Sequence, residues 1–256
     1  MKNITTLTKQ VIALTLIFAS FLSCENDDDL TDNNLPRLIR ITQGTPNGLG
    51  SLADVVFEYH ENGYLKTASQ GNHPVSYIYN SNNQVIKYIE DYIVDIENID
   101  EIFPSHATTF NYQDNVLVSS YRDHEPNQLT HYFYNENEQL AYIETPSGHA
   151  FTNNYDAFGN IIEMLNNNSE VSAYYEFDDK INPYQFMLPE SFSKIQYGVL
   201  GELITNRNNI LYYEKSVNGN LSQHEQIYEY NSNNLPSSRI PIVNGYSYTV
   251  REYIYE

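Results

Sequence analysis

One short unit recurs along this chain and limits what it can fold into: an aromatic residue, any residue, a second aromatic, a polar turn, then an aliphatic residue. It occurs as FEYHENGYL from Phe57, YIYNSNNQV from Tyr77, FNYQDNVL from Phe110 and YFYNENEQL from Tyr132. Further copies are NNYDAFGNI from Asn153, YEFDDKI from Tyr175 and YEYNSNNL from Tyr228. The second aromatics are Tyr59, Tyr79, Tyr112, Tyr134, Tyr155, Phe177 and Tyr230, and their spacings of 20, 33, 22, 21, 22 and 53 describe a period near 21 interrupted by two insertions. Alternating aromatic residues favour a pleated, half-buried strand, and the polar runs between them favour turns. Each unit is therefore a β-hairpin, and a chain of them is an antiparallel meander.

Turn chemistry sets the register. In NNYDAFGNI, Asp156 suits the first position of a type I turn and Gly159 the left-handed position after it, which gives a three-residue loop with a bulge. That loop pairs Asp156 with Asn160 and sets Tyr155 opposite Ile161; the same count sets Tyr59 opposite Leu65, Tyr79 opposite Val85 and Tyr134 opposite Leu140. The Tyr112 unit is one residue shorter, but a two-residue turn at Asp114-Asn115 still faces Tyr112 with Leu117. Parity survives the deletion, so the facing pair is what the repeat encodes. Pro183 and Pro236 stand where the units at Phe177 and Tyr230 need strand residues, and the meander is expected to alter at both.

The fold class is thus all-β, an antiparallel meander of about 14 to 16 strands that closes into a barrel-like or strongly curved sheet. Asn218-Gly219 and Asn244-Gly245 mark two more tight hairpins, and a last strand runs from Tyr246 to Tyr255. Pairing of that strand with the first one, Leu38 to Thr42, would remove an exposed edge. The stretch between Asp178 and Asn209 loses the two-residue period, so one or two short helices are expected there, covering an end or a face of the sheet.

The N-terminus carries an address. Lys2 and Lys9, the apolar run Val11 to Leu22 and small Ser23 before Cys24 read as a targeting segment too short to span a bilayer. Phe21-Leu22-Ser23-Cys24 resembles a bacterial lipobox, although Phe21 replaces the usual aliphatic residue. The resemblance implies diacylation of Cys24 and cleavage before it; the alternative is an ordinary secretory signal. Cys24 is the single cysteine, so an internal disulfide, a cysteine-based zinc site and a cysteine nucleophile are excluded. The domains read as a signal peptide at 1–23, a lipidated cysteine with a flexible acidic tether at 24–35, and one hairpin-repeat domain at 36–256. The acidic run Glu25 to Asp29 resembles the signal that sends Bacteroidota lipoproteins to the outer face of the outer membrane; a solvated spacer is the other reading.

The units, above all NYDAFGNI, resemble the YD repeats of RHS-type proteins. Together with the lipobox, the DDK-x-NP stretch from Asp178 to Pro183 and the length, the chain resembles small Bacteroidota lipoproteins described as a porin-like domain of unknown function. That resemblance covers most of residues 52–255. It implies a fold and an outer-membrane address, facing the surface or the periplasm, and supplies no catalytic residues.

Charge narrows the partners. The chain has net charge −20, and losing Lys2 and Lys9 with the signal leaves −22, which repels phosphate backbones and anionic headgroups. Nucleic acid is a poor partner, and the membrane is reached through the anchor. Seven histidines show no zinc spacing, and no nucleophile elbow, phosphate loop or dinucleotide fingerprint occurs. No cofactor is expected. Asp95, Glu97, Asp100 and Glu101, within an acidic insertion, offer oxygens to Ca²⁺ but lack an EF-hand pattern, and a solvated loop is the plainer reading. The seven second aromatics form either a core ladder with hydroxyls reaching an edge or, if exposed, a stacking platform for sugar or peptide. A non-enzymatic envelope module binding a glycan or partner protein is the expected function. A polysaccharide-acting enzyme and an integral outer-membrane barrel are the alternatives.

Overall fold

The computed structural model describes residues 36–44, 54–71, 73–91, 106–148, 150–195, 206–217 and 220–256; Arg37–Glu256 form one compact unit. Cys24, the tether and the calcium candidates Asp95, Glu97, Asp100 and Glu101 lie outside the described residues.

The first strands are β1 (Leu38–Gln43), β2 (Val55–Tyr59), β3 (Leu65–Gln70), β4 (His73–Tyr79), β5 (Val85–Glu90) and β6 (His106–Gln113). They continue as β7 (Val116–Arg122), β8 (Thr130–Tyr134), β9 (Leu140–Glu144), β10 (Ala150–Tyr155), β11 (Ile161–Leu165) and β12 (Val171–Ile181). The last are β13 (Asn208–Val217), β14 (Asn220–Tyr230), β15 (Pro236–Val243), β16 (Tyr246–Ser247) and β17 (Arg251–Tyr255). Each strand pairs antiparallel with the next up to β15, which pairs with both β16 and β17, and β17 pairs with β1. The result is a closed barrel of 16 strands with β16 as an extra flap. Leu38 faces Tyr255 at the seam, and Arg37 and Glu256 exchange backbone hydrogen bonds of 3.0 and 2.9 Å.

Each expected rung forms. Tyr59 faces Leu65, Tyr79 faces Val85, Tyr112 faces Leu117, Tyr134 faces Leu140 and Tyr155 faces Ile161. The turns explain the Asn or Asp that opens them: Asn80, Asn135, Asp156 and Asn231 each accept, at one side-chain oxygen, the backbone N–H groups two and four residues on. Asn166 does the same in the β11–β12 turn, a hairpin with no aromatic residue on the strand before its turn, which the motif did not reveal. The left-handed position falls on Gly159 (φ 91°), and Asp114 and Asn115 both take positive φ in their two-residue turn.

Two expectations need correction. Pro236 does not disturb its hairpin: it is the first residue of β15, faces Tyr230, and meets a bulge that spares the missing N–H. The segment Tyr246 to Tyr255 is not one strand. Pro241 accepts from the Tyr248 N–H (2.8 Å) but has no N–H to return, and the chain bulges by one residue before β17 resumes. The expected helices are present as a 3-10 turn Pro183–Phe186 and a four-residue helix Glu190–Ser193, and the face of the sheet they cover is the ladder face of the strands, inside the ring.

That inner segment completes the core. Phe192 meets Phe110 edge-on at 4.9 Å and Tyr77 at 6.2 Å, and Tyr184 reaches Phe57 and Tyr253 at 6.4 Å. Tyr184, Met187, Leu188, Phe192 and Ile195 are buried with the rung residues Leu38, Leu65, Val85, Leu117 and Leu140. The Leu65 N–H donates to the Met187 carbonyl (2.7 Å), which ties the segment to a rung. Outward positions carry many charges, with Glu58, Lys87, Glu163, Glu176, Glu214, Glu225, Glu229 and Glu252 alternating with the inward residues of their strands, beside exposed apolar side chains at Ile78, Phe133, Ile227 and Ile254. Among the described residues no helix is long and apolar enough to cross a membrane.

Candidate functional site

The aromatic ladder is the first candidate. Its rings point inward, and their hydroxyls link one hairpin to the next. Tyr59 donates to the carbonyl of Leu38 (2.6 Å), Tyr79 to Leu65 (2.6 Å), Tyr112 to Val85 (2.9 Å), Tyr134 to Leu117 (2.9 Å) and Tyr155 to Leu140 (2.8 Å). Tyr255, which carries no local turn, extends the series by donating to Pro236 (2.8 Å). Each carbonyl accepted from belongs to the aliphatic residue of the preceding rung. Burial pushes the Tyr155 hydroxyl up to about 12, against a lowering hydrogen bond with Asn153, and raises Tyr59, Tyr79, Tyr112 and Tyr134 well beyond an ordinary phenol. Rings whose faces pack and whose hydroxyls are bonded form part of the wall.

The remaining two rungs depart from this pattern. Phe177 has no hydroxyl and faces Ile210 on β13, across the insertion rather than across a local turn. Tyr230 donates to the Asp178 carboxylate, which also accepts from the Asn209 N–H (3.0 Å) and the Lys180 N–H (3.0 Å). Among the described residues no group of three or more histidine, cysteine or acidic side chains is placed to hold a metal ion.

The second candidate was missed in the sequence. Arg239 faces Tyr228 on one side and Arg251 on the other, and Arg251 faces Gln43, so a row of inward side chains crosses β14, β15, β17 and β1. Arg239 is only 6% exposed and shares a hydrogen bond with Tyr228, yet its Nε has no partner; the Tyr253 hydroxyl and the Gln226 Oε1 beside it are also unpartnered. Arg251 is half-buried, and its charge is disfavoured first by burial and then by Arg239. Neither arginine has a carboxylate within ion-pairing distance among the described residues. The glutamates flanking them, Glu225, Glu229 and Glu252, occupy the outward positions of the same strands.

Next along the wall, Tyr213 stacks on His224 (4.2 Å, 7° between planes), with the Lys215 ammonium 5.7 Å from the Tyr213 ring. His224 Nε2 lies 2.8 Å from Ser222 Oγ, the beginnings of a nucleophile and base. Burial and then the Lys215 charge lower the basicity of His224, however, the reverse of what the carboxylate in a serine–histidine pair provides. This sector therefore offers cations, amides and phenol rings without an activated nucleophile.

A sequence signal for the arginine row existed. Counting back in twos from Tyr255 puts Arg251 inward, whereas counting from the Asn244-Gly245 turn puts it opposite Ser238 and outward. The two counts agree only if one extra residue lies between, which is the bulge beside Pro241.

No protein-family model matches the chain, and no curated protein sequence matches it. Among solved structures it is similar to a porin-like protein from Bacteroides uniformis, at 12% identity and a TM-score of 0.39, over 86% of this chain and 98% of that one. It is also similar to a chain of the Photorhabdus luminescens Tc holotoxin pore, at 12% identity and a TM-score of 0.28, over 83% of this chain but only 14% of the toxin chain. Both likenesses are loose, and the barrel assignment rests on the strand pairing.

Proposed function

We propose that this chain is an outer-membrane lipoprotein whose barrel is a non-enzymatic binding module held in water by its anchor, with a glycan or a partner protein as ligand. The observation that carries the reading is the arginine row. Two like charges set side by side in a largely buried wall cost desolvation and repulsion that packing does not return, an arrangement kept for a ligand more readily than for stability. Placement in water is supported by the outward glutamates on successive strands and by strands β2 to β11, which hold five to eight residues where a membrane strand needs about 9 to 11. Anchoring is inferred from Cys24, since each buried methylene of an acyl chain contributes about 0.8 kcal/mol.

Fractionation with mass spectrometry, followed by a glycan-array and pull-down screen, tests the reading. The wild-type protein is expected in the membrane fraction with acyl mass on Cys24, and Cys24→Ser is expected to be soluble with unchanged circular dichroism and melting. Wild-type protein that is soluble with an unmodified mature N-terminus would overturn the anchor. Failure to capture any glycan or envelope protein would overturn the binding module.

A further inference from the structure

We propose that Arg239 and Arg251, with Gln226, Tyr228 and Tyr253 around them, form an internal site for an acidic sugar, its carboxylate held by the guanidinium pair and its ring set against the tyrosines. This rests on the reading of the barrel as a binding module and names its ligand class. Four observations lead to it.

The first is register. Arg239 and Arg251 are direct cross-strand partners on the inner face, about 5 Å apart at their backbones, so both forks can address one anion. A planar oxyanion between two guanidiniums would accept paired N–H bonds from each. The second is the unpartnered Nε of Arg239: a charged donor at 6% exposure that lacks an acceptor points to a missing anion in a way a solvated arginine would not. The third is composition. The chain has 13 Lys and Arg against 33 Asp and Glu, and the glutamates next to this pair on β14 and β17 face outward.

The fourth separates a sugar acid from a bare ion. The half-buried Tyr228 and Tyr230 rings stack at 6.0 Å, and Tyr228 shares a hydrogen bond with Arg239, so a phenol pair flanks the guanidiniums. Flat amphipathic rings of this kind suit the apolar face and hydroxyls of a pyranose. Arg251 is the half-buried member, so the pair is reachable from solvent on its side.

The test uses the purified full chain in calorimetric titration and thermal melting at constant ionic strength. The probes are trigalacturonate, the neutral galactose trisaccharide, and sodium sulfate. Trigalacturonate is expected to bind and raise Tm, the neutral trisaccharide to do neither, and sulfate to compete weakly. Arg251→Gln should weaken trigalacturonate at least tenfold while raising the Tm of the ligand-free protein, because it relieves repulsion on Arg239. Arg251→Lys should keep part of the affinity, and it serves as the readout if the glutamine variant does not fold. Equal binding of both trisaccharides, or an Arg251→Gln protein that binds as before with a lower Tm, overturns the proposal. Binding of sulfate alone overturns the sugar and reduces the site to an inorganic anion site. Silence from all three probes, while the pull-down still yields a partner, overturns this site and leaves the binding module standing.

Discussion

The barrel has two unlike arcs. From β1 to β11, every ladder tyrosine faces an aliphatic residue and donates to the carbonyl of the rung before it, and the enclosed space is filled by Phe192, Tyr184, Met187 and Leu188. From β12 to β15 the rungs are Phe177 without a hydroxyl and Tyr230 on a carboxylate, and the wall carries Arg239, His224 and Lys215. One arc uses its aromatic residues to build the ring. The other, reached after the insertion that follows Asp178, places charge where the first places hydrocarbon. A repeat that is closely kept where it closes a structure, and relaxed over a few neighbouring strands, marks where selection acted on something besides closure.

The largest expected effect comes from alkali. Tyr155 titrates near 12 in the fold and near 10 when unfolded, and burial raises the other ladder hydroxyls further. A raised phenol favours the fold while it stays protonated, so its contribution is complete below about pH 10 and is lost as pH climbs through the folded values. Absorbance at 295 nm should show the ladder tyrosines ionising late and together with loss of β-sheet circular dichroism. Gradual ionisation with the sheet intact would mean that the buried hydroxyls do not hold the ring closed, in the first arc or in the second, where Tyr175, Tyr228 and Tyr230 are raised as well.

Next comes the filling of the first arc. Phe192, 1% exposed between Tyr77 and Phe110, should cost about 3 to 5 kcal/mol as Phe192→Ala in urea unfolding. A cost below about 1 kcal/mol would mean that the inner segment is not part of the core.

The smallest expected effect sharpens the comparison at one atom. Tyr112→Phe removes a hydroxyl from the Val85 carbonyl and should cost about 1 to 1.5 kcal/mol, an effect readable as a lower urea midpoint at unchanged slope. Because position 177 already holds phenylalanine, the same loss is built into the second arc, and Phe177→Ala should act through packing alone. A Tyr112→Phe protein as stable as wild type would leave the rungs held by hydrophobic pairing only.

Much of the first arc was legible because turn chemistry is local. Asp156 with Gly159, or Asp114-Asn115, fixes which residue opposes Tyr155 or Tyr112 within one hairpin. The hydroxyl-to-carbonyl links were less accessible, since they run sideways between hairpins separated by 14 to 27 residues. The inner segment was recognised only as a break in the two-residue period: Met187, Leu188 and Phe192 would look the same covering an end as filling the middle. The arginine row escaped for a more specific reason. Arg239 and Arg251 meet only because a bulge beside Pro241 advances the chain by one residue, and the plain hairpin count turns Arg251 to the outside.

The seam between β1 and β17 makes the order of strands in the chain incidental to the ring. Leu38 and Tyr255 face one another as any rung does, Tyr59 donates to Leu38 as Tyr79 does to Leu65, and Arg37 and Glu256 are already hydrogen-bonded neighbours. A few glycines would bridge those two residues, and new ends opened at the Asp114-Asn115 turn would interrupt no rung. Topologically this barrel is a circle that has been cut once, and a circular permutant of it would read the same hairpins from a different starting point.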